Sequence, residues 1–337
     1  MAKQQRIDPR NIERTRAKQS AARSGNPAKR AQSAQAAARA RGPVRPATLG
    51  TWIAASRPQT LALAIAPVAL GTGAAALLME SWTEHWVRAL LALAVAVGLQ
   101  IGVNYANDYS DGVRGTDRDR VGPARLVGSG RAKPRQVLTV ALVFFALSAL
   151  AGLVLVWRSE QWWLLAVGAV SLLAAWFYTG GKWPYGYLPL GELAVLIFFG
   201  FVPVAGTMLV QAGTVNIEAW LGGSALGCFA AAVLLVNNLR DRERDALHSK
   251  RTLSVIIGAT ASKALFTVLI LVPYGILAFF VLFYEFAPYV YFSLLAAVPA
   301  LLIVWTAKTA RELVIVLQLV LVTSLTFGIG LAAAIGF

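Results

Sequence analysis

Cysteine and histidine are nearly absent from this 337-residue chain, which contains one cysteine and two histidines. The single thiol, Cys228, excludes an intramolecular disulfide framework and a metal site built from a cysteine cluster. His85 and His248 each stand alone, which is typical of solvated rather than catalytic histidines. Charged residues are also few, at 14%, whereas hydrophobic residues reach 57%, against about 45–50% in soluble domains.

The excess of apolar residues is concentrated in long runs without charge. A transmembrane helix needs about 17–25 predominantly apolar residues, and lipid leaves every backbone polar group to be paired internally. Continuous runs favour helices over the short alternating segments of a barrel. Nine such runs are present, at 59–79, 89–106, 136–157, 161–179, 193–217, 219–239, 264–284, 286–307 and 313–337. The sequence therefore predicts an all-α, polytopic membrane protein with about nine transmembrane helices.

Residues 1–46 differ from the rest of the chain. They contain twelve Lys and Arg against two acidic residues and almost no large apolar side chains, which predicts disorder. Such a tail fits either a nucleic-acid-binding arm or attachment to anionic lipid headgroups. Its position before a membrane domain favours the lipid or topology-setting role, so no nucleic acid partner is expected. The predicted organisation is a disordered basic cytoplasmic tail at 1–46 and a nine-helix transmembrane domain at 47–337.

The loops between the apolar runs alternate in charge. Loop 107–135 holds seven Lys and Arg and loop 240–263 holds six, whereas the intervening loops carry mainly Glu. Because basic loops tend to remain cytoplasmic, the N-terminus is predicted inside and the C-terminus outside. The expectation is a multi-pass protein of the plasma (cytoplasmic) membrane. Its long, charged loops, and hence its functional site, would lie on the cytoplasmic face.

The first acidic cluster, N-Y-A-N-D-Y-S-D-G-V-R-G-T-D at 104–117, closes the second apolar run. Asn104, Asp108 and Asp111 follow the spacing i, i+4, i+7, which places them on one helical face. Gly112 and the glycine three residues later are expected to break the helix and let Asp117 fold back towards the same place.

The second acidic cluster closes the sixth run, with Asn237, Asp241 and Asp245 on one helical face. Both clusters contain Asn-x-x-x-Asp, at 107/111 and 237/241. This echo indicates a diverged internal repeat whose two acidic ends face each other.

Carboxylates at a membrane boundary are costly unless they are paired or bind metal. Asp and Asn oxygens without His or Cys favour Mg²⁺, which usually takes one or two carboxylates and completes its shell with waters and substrate phosphates. The neighbouring cations Arg114, Arg125, Lys250 and Arg251 would add direct phosphate contacts. The pattern therefore predicts a magnesium-dependent diphosphate site. The alternative is a set of solvated charges in structural ion pairs, which two matching clusters make less favoured.

Of three other features, two have two interpretations each and Glu192 has one. Arg57, before Pro58, is either a headgroup anchor or a site residue. Glu192 is interpreted as a cap of the fifth span. The Gly-Ser-Gly at 128–130 is either a phosphate cradle or a turn.

Several motifs together resemble one family. They are S-R-P-Q-T-L at 56–61, N-D-Y-S-D-G-V-R-G-T-D at 107–117, V-G-P-A-R-L-V-G-S-G at 121–130, F-Y-T-G-G at 177–181, G-Y-L-P-L-G-E at 186–192, N-N-L-R-D at 237–241 and K-R-T-L-S-V at 250–255. Over roughly residues 50–337 the chain resembles the UbiA superfamily of intramembrane aromatic prenyltransferases. Within it, the continuation at 121–130 is most similar to the branch that acts on 1,4-dihydroxy-2-naphthoate. The resemblance implies nine helices around a central cavity, with two Asp-rich motifs on the cytoplasmic side.

The resemblance also implies a reaction. A long polyprenyl chain would pass from an allylic diphosphate to 1,4-dihydroxy-2-naphthoate with decarboxylation, giving demethylmenaquinone and diphosphate in menaquinone synthesis. Mg²⁺ would be the cofactor, and polyprenyl diphosphate, 1,4-dihydroxy-2-naphthoate and membrane lipids would be the partners.

The roles expected at the site fall into three groups, and no general base is identified. The expected metal ligands are Asp108, Asp111, Asp117, Asp241 and Asp245, of which Asp111, Asp117, Asp241 and Asp245 are also expected to be catalytic. The expected diphosphate ligands are Asn104, Asn107, Arg125, Lys250 and Arg251. The expected substrate and cation pocket consists of Arg57, Tyr105, Tyr109, Tyr178 and Lys182.

Three other functions remain open from the sequence. The first is a transferase of the same superfamily with another aromatic or lipid acceptor. The second is a cation transporter, although its site would be expected near the membrane midplane rather than at one face. The third is a basic-tailed scaffold, which needs neither acidic cluster.

Overall fold

The computed structural model describes residues 46–79, 85–115, 125–247 and 250–336. The α-helices in these ranges are Leu49–Ala55 (α1), Ala62–Ala76 (α2), Trp86–Arg114 (α3), Pro134–Ser159 (α4), Leu164–Phe177 (α5), Gly191–Leu196 (α6), Val202–Ala212 (α7), Ile217–Leu247 (α8), Leu253–Val281 (α9), Leu294–Thr306 (α10) and Ala310–Gly336 (α11). A 3-10 turn at Pro58–Leu61 leads into α2, and another at Ala287–Ser293 leads into α10. Helices α6 and α7 are joined by a π-helical turn at Ile197–Phe201.

The all-α, polytopic class predicted from the sequence is confirmed. Within the described residues, eight helical segments are long and apolar enough to cross a membrane. The fourth predicted run forms only the 14 residues of α5, which is shorter than the usual span. The number nine is therefore approximate. The predicted tail lies outside the described residues, apart from residue 46, so its disorder stays a prediction.

Helices α3 and α8 are longer than a membrane requires. They contain 29 and 31 residues, or about 44 and 46 Å at 1.5 Å per residue, against a hydrocarbon core of about 30 Å. The predicted loops therefore begin too early, because residues 107–114 and 240–247 are still helical. Each acidic cluster stands on a rigid helix end rather than on a loop.

The expectation that Gly112 breaks α3 is wrong, since the helix continues to Arg114 and ends at Gly115 with φ 75°. Gly112 instead allows a close approach. A Cβ at this position would lie 2.4 Å from Val127 Cγ1 and 3.2 Å from the Gly128 nitrogen. The segment after residue 125 can therefore pack directly on the end of α3. Asp117 lies outside the described residues.

Packing is organised around α2, which lies against α3, α7, α8 and α11. The largest buried cluster includes Phe229, Tyr274 and Phe327, whose rings meet edge to face at centroid distances of 5.3–6.2 Å. A second buried cluster joins α3, α4 and the segment at 126–127. Lipid is as apolar as these side chains, so close van der Waals packing rather than hydrophobic burial holds the helices together.

A seam of glycines joins the α6–α7 segment to α8. A Cβ at Gly200, in the π-helical turn, would lie 2.4 Å from the Gly223 carbonyl oxygen and 2.6 Å from Gly227 Cα. Gly223 and Gly227 are four residues apart, the small-xxx-small spacing that lets membrane helices approach closely. This contact holds the π-helical turn that follows α6 against the first third of α8.

Candidate active site

Asp111 is the point where three separate parts of the chain meet. Its carboxylate is 5% exposed. Tyr187 donates its hydroxyl to Oδ1 at 3.1 Å, Lys250 Nζ lies 3.9 Å from Oδ1, and Arg125 Nη2 lies 3.5 Å from Oδ2. The structure therefore brings Asp111, Arg125 and Lys250 together, as the sequence predicts.

The second cluster is also charge-balanced. Arg240 donates to both carboxylate oxygens of Asp241, from Nε at 3.0 Å and from Nη2 at 2.8 Å, and Arg244 Nη2 lies 3.5 Å from the same carboxylate. Asp241 is 8% exposed and Asp245 is 6% exposed. Between them, Glu243 points to solvent, with 92% of its side chain exposed. At the end of α8, the face that carries Asp241 and Asp245 is thus buried, whereas the face that carries Glu243 is exposed to solvent.

The segment at 250–251 connects the two acidic helix ends. The Lys250 backbone N–H donates to the Asp245 carbonyl at 3.0 Å, while its side chain reaches Asp111. The Arg251 backbone N–H donates to the Tyr187 carbonyl at 2.9 Å. A lysine placed between both clusters is positioned to contact a polyanion that bridges them.

Tyr187 is a site residue that sequence reasoning missed. It lies in the 3-10 turn Tyr185–Tyr187. Besides its hydrogen bond to Asp111, its ring lies 4.2 Å from Lys250 Nζ and 5.5 Å from the Arg114 guanidinium, which are cation–π distances. The available signal was its place in the G-Y-L-P-L-G-E motif, but nothing in that motif indicates that the chain folds back onto α3.

Asp108 holds the backbone of the neighbouring segment. Its carboxylate oxygens accept the N–H groups of Leu126 at 2.8 Å and Val127 at 3.1 Å. The Gly-Ser-Gly at 128–130 forms a turn, with the Gly130 N–H donating to the Val127 carbonyl at 2.9 Å. The turn interpretation therefore describes this segment, and the carboxylate of Asp108 orients it together with Arg125. A metal at Asp108 would share this carboxylate with the turn.

The two asparagines of the first cluster also bind other parts of the chain. Asn104 donates Nδ2 to the Ser56 carbonyl at 2.8 Å and to Thr60 Oγ1 at 3.0 Å. Asn107 accepts the Thr179 hydroxyl at 2.6 Å. Arg114, which is exposed, donates to the carbonyls of Thr179 and Gly181. These bonds attach the segments 56–60 and 179–181 to α3. Lys182, the next residue after the second segment, is exposed.

Arg57 adopts a strained backbone conformation. Its φ of 54° and ψ of 63° are left-handed, a region that costs a non-glycine residue about 1–3 kcal/mol and recurs at ligand sites. The conformation is held locally, because the Thr60 N–H and hydroxyl both donate to the Arg57 carbonyl at 2.8 Å. Strain retained beside Asn104 is consistent with a binding role for Arg57.

The predicted aromatic pocket separates into two places. Tyr105 donates to the Trp52 carbonyl at 2.7 Å and stacks on Phe144 at 6.1 Å, and Tyr109 packs in the same cluster between α3 and α4. Tyr178 instead makes an edge contact with the Tyr185 ring at 5.5 Å. Burial of Tyr185 raises its pKa to about 12, so this tyrosine stays neutral at physiological pH.

The oxygen-rich donor set fits Mg²⁺, although the carboxylates do not form a closed cage. In the ranges that the structure describes, no group of three or more His, Cys, Asp or Glu side chains is close enough to hold a metal alone. Mg²⁺ does not need such a cage, since it is commonly held by one or two carboxylates together with substrate phosphates. Asp111 and Asp241 supply carboxylates beside Arg and Lys side chains that phosphate oxygens can also contact, and Asp245 supplies a third buried carboxylate on α8.

Comparison with known proteins agrees with this chemistry. A model of the UbiA prenyltransferase family matches residues 64–314. A Mycobacterium tuberculosis protein named 1,4-dihydroxy-2-naphthoate octaprenyltransferase is 48% identical over 294 residues, covering 86% of this chain and 98% of that protein. An Escherichia coli protein of the same name is 37% identical over 254 residues, covering 73% and 81%.

A solved structure shares the fold. The UbiA homolog from Archaeoglobus fulgidus, determined bound to GPP and Mg²⁺, has a TM-score of 0.60 at 15% identity. The match covers 85% of this chain and 100% of that one. At this identity the similarity concerns the arrangement of helices.

Proposed function

Because the chain belongs to the UbiA prenyltransferase family, we propose that it transfers a long polyprenyl chain from an allylic diphosphate to 1,4-dihydroxy-2-naphthoate. The observation that carries the proposal is the convergence of Asp111, Arg125 and Lys250 beside the buried acids of α8. The relatives from Mycobacterium tuberculosis and Escherichia coli, named for this acceptor, support the choice of substrate.

The diphosphate is bound between the two acidic helix ends. Asp108, Asp111, Asp117, Asp241 and Asp245 would hold Mg²⁺ there. Bound Mg²⁺ acts as a Lewis acid that stabilises the departing diphosphate. Arg125, Lys250 and Arg251 contact phosphate oxygens directly, and the two asparagines at 104 and 107 keep the surrounding segments in place.

Charge balance explains why these side chains are ready for a polyanion. In the absence of substrate, the cations Arg125 and Lys250 compensate Asp111, which avoids an unpaired buried charge. When the diphosphate binds, these cations turn their donors to phosphate oxygens, while Tyr187 keeps its hydrogen bond to Asp111. Preorganised donors of this kind act where negative charge develops as the C–O bond breaks.

The allylic cation needs protection from water until the aromatic ring attacks it. Tyr178 offers an aromatic face close to the start of α6, and Arg57 and Lys182 are candidates for the acceptor carboxylate. The carboxylate leaves as CO₂, giving the quinol form of demethylmenaquinone. The reaction takes place at the cytoplasmic face of the plasma membrane, with the prenyl tail among the helices and the basic tail at residues 1–46 against lipid headgroups.

The direct test is product formation by the purified protein. With 1,4-dihydroxy-2-naphthoate, a polyprenyl diphosphate and Mg²⁺, we expect a prenylated naphthoquinone detected by mass spectrometry, and chelation by EDTA should abolish it. Asp111→Asn and Asp241→Asn should each lower kcat by about 100-fold or more. Glu243→Gln is the matched control on the same helix end and should retain wild-type activity, because its side chain faces solvent.

Two results would contradict the proposal. Prenyl transfer only to a different aromatic acceptor would keep the family chemistry and reject the naphthoate. Absence of both product and diphosphate release from folded protein, judged by a wild-type unfolding midpoint, would reject prenyl transfer itself.

A further inference from the structure

Glu192 is a buried carboxylate that the diphosphate site does not use. It lies in the first turn of α6 and is 7% exposed. Its Oε1 accepts a hydrogen bond from Asn238 Nδ2 at 2.8 Å. Its Oε2 is buried and has no hydrogen-bond partner among the described residues. One half of the carboxylate is therefore held in place while the other half is available.

Helix capping explains only part of this arrangement. A carboxylate in the first turn is favoured by the helix dipole, as the sequence interpretation of Glu192 assumes. A cap at a membrane boundary normally faces water, however, whereas this side chain is buried at the start of a candidate membrane span. No cation among the described residues lies within ion-pair distance of it, and a buried, incompletely paired carboxylate is costly and marks a functional site by default.

The position of Glu192 relative to the diphosphate site follows from α8. Asn238, Asp241 and Asp245 follow the spacing i, i+3, i+7 and share one helical face. Glu192, bonded to Asn238, thus lies about 5 Å, or one helical turn, deeper in the membrane than Asp241. That depth is where the first carbons of a prenyl chain would lie if its diphosphate sat at the acidic helix ends.

The surroundings of Glu192 are both rigid and aromatic. The π-helical turn Ile197–Phe201 follows it directly, and such turns are frequent at functional sites. The glycine seam at Gly200 holds this segment against α8. On the other side, a Cβ added to Gly191 would lie 3.9 Å from Tyr178 Oη. Gly191, the residue before Glu192, therefore lies against the Tyr178 ring, and an acceptor ring bound beside Tyr178 would lie at the start of α6.

We propose that Glu192 Oε2 binds a ring hydroxyl of the aromatic acceptor and takes its proton during prenyl transfer. The inference rests on the proposed function and supplies the general base that the sequence does not identify. As the ring carbon forms its bond to the allylic carbon, the C–O bond to diphosphate breaks and its electron pair leaves with the diphosphate. The hydroxyl proton passes to Oε2, and the ring is left as the keto form.

The same carboxyl group also completes the decarboxylation. When the new C–C bond forms at the carbon that carries the carboxylate, the keto form is a β-keto acid. Its C–CO₂⁻ bond then breaks, and the electron pair restores the aromatic ring. The proton returns from Glu192 to the ring oxygen, so the enzyme ends in its starting protonation state. Asn238 is a positioning residue, since it orients the carboxyl through Oε1.

Glu192→Gln tests the proposal with little change in shape. The glutamine keeps an oxygen that accepts from Asn238, but it replaces the proton acceptor by an amide. With geranylgeranyl diphosphate, 1,4-dihydroxy-2-naphthoate and Mg²⁺, we expect kcat to fall by about 10²–10⁴-fold. The KM for the donor and the affinity for a non-reactive thiolo analogue of it should change by less than about twofold, because the diphosphate ligands are intact. Glu192→Asp should retain partial activity, and Glu218→Gln, at the far end of α8, should behave as wild type.

Acceptor analogues separate catalysis from folding. Replacing the ring hydroxyl at position 1, next to the carbon that carries the carboxylate, by methoxy should slow the wild type by a factor similar to that of Glu192→Gln, and should slow the variant little further. Wild-type activity in Glu192→Gln, an equal loss of donor affinity, or additive losses from Glu192→Gln and the 1-methoxy acceptor would overturn the inference. If the wild type itself makes no prenylated naphthoate, the proposed function fails rather than this inference. If Glu192→Gln does not fold, the 1-methoxy acceptor with wild type and Glu192→Asp decides the question by the same criteria.

Discussion

At the residue scale, the site is defined by how its charges are shared. Asp111 is contacted by a tyrosine hydroxyl, a lysine and an arginine from three different segments, whereas Asp108 accepts the backbone N–H groups of Leu126 and Val127. Two aspartates three residues apart thus have different surroundings. The first is placed to exchange partners with a substrate, and the second mainly fixes a turn.

Two substitutions of Tyr187 separate its hydrogen bond to Asp111 from its cation–π contact with Lys250. Tyr187→Phe removes the hydroxyl that donates to Asp111 but keeps the ring beneath Lys250. We expect kcat/KM for the donor to fall by about 5–30-fold, the equivalent of roughly 1–2 kcal/mol for a hydrogen bond to a charged group. Tyr187→Ala should lose more, because it also removes the cation–π contact. Steady-state kinetics with varied donor concentration measure both effects.

The control for this series is Tyr185→Phe. Tyr185 donates its hydroxyl to the Ala174 carbonyl, away from the acidic residues, so its loss should change thermal stability more than donor KM. Equal effects of Tyr185→Phe and Tyr187→Phe on donor KM would show that the 185–187 turn acts only through folding.

At the element scale, the site depends on helices that extend past the membrane and on one seam where they nearly touch. The last turns of α3 and α8 carry the acids beyond the hydrocarbon core. The glycine contact between Gly200 and α8 sets the height of α6, and with it the position of Glu192 against Asn238. Glycine is required at position 200 because the Gly223 carbonyl oxygen occupies the space that a Cβ would need.

Two glycines of the same segment provide a matched comparison. Gly200→Ala places a methyl group 2.4 Å from a carbonyl oxygen of α8, and we expect it to destabilise the protein by about 1–3 kcal/mol. Gly206→Ala meets nothing within 4 Å and should be neutral or stabilise α7 by up to about 1 kcal/mol. Thermal unfolding in detergent measures the difference. Equal midpoints for the two variants would show that the seam tolerates widening.

At the scale of the whole molecule, the charged residues of the site lie at one end of the helices. Helix α9 begins shortly after Lys250, is interrupted at Gly258, where φ is 81° and ψ is 176°, and continues over residues 259–281, a length of about 35 Å. Glu243 and Glu285 therefore stand near opposite ends of the bundle. The distribution of Lys and Arg predicts that the first of these ends faces the cytoplasm.

Cysteine labelling tests that orientation. The only native cysteine, Cys228, is buried and can be replaced by Ser. In intact cells, a membrane-impermeant maleimide should label Glu285→Cys but not Glu243→Cys, and it should label both after permeabilisation. The reverse order of labelling would place the acidic site outside and contradict the charge-based topology.

The membrane class, the position of most spans and the two acidic clusters can be identified from the amino-acid sequence without the structure. These follow from local properties, namely the length of apolar runs and the spacing of carboxylates along one helical face. The sequence also predicted that Asp111, Arg125 and Lys250 serve one site. A chain pattern gives such information because helical periodicity and charge act over a few neighbouring residues.

Which side chains contact each other depends on the tertiary structure. In the structure, Tyr187 donates a hydrogen bond to Asp111, and Asp108 accepts a backbone N–H group of the neighbouring turn. Gly112 is a point of close packing, and Glu192 accepts a hydrogen bond from Asn238. Each of these contacts joins residues distant in sequence and depends on how closely two helices or segments approach. That approach is set by the fit of many side chains at once, so no local pattern around any one of these residues reveals it.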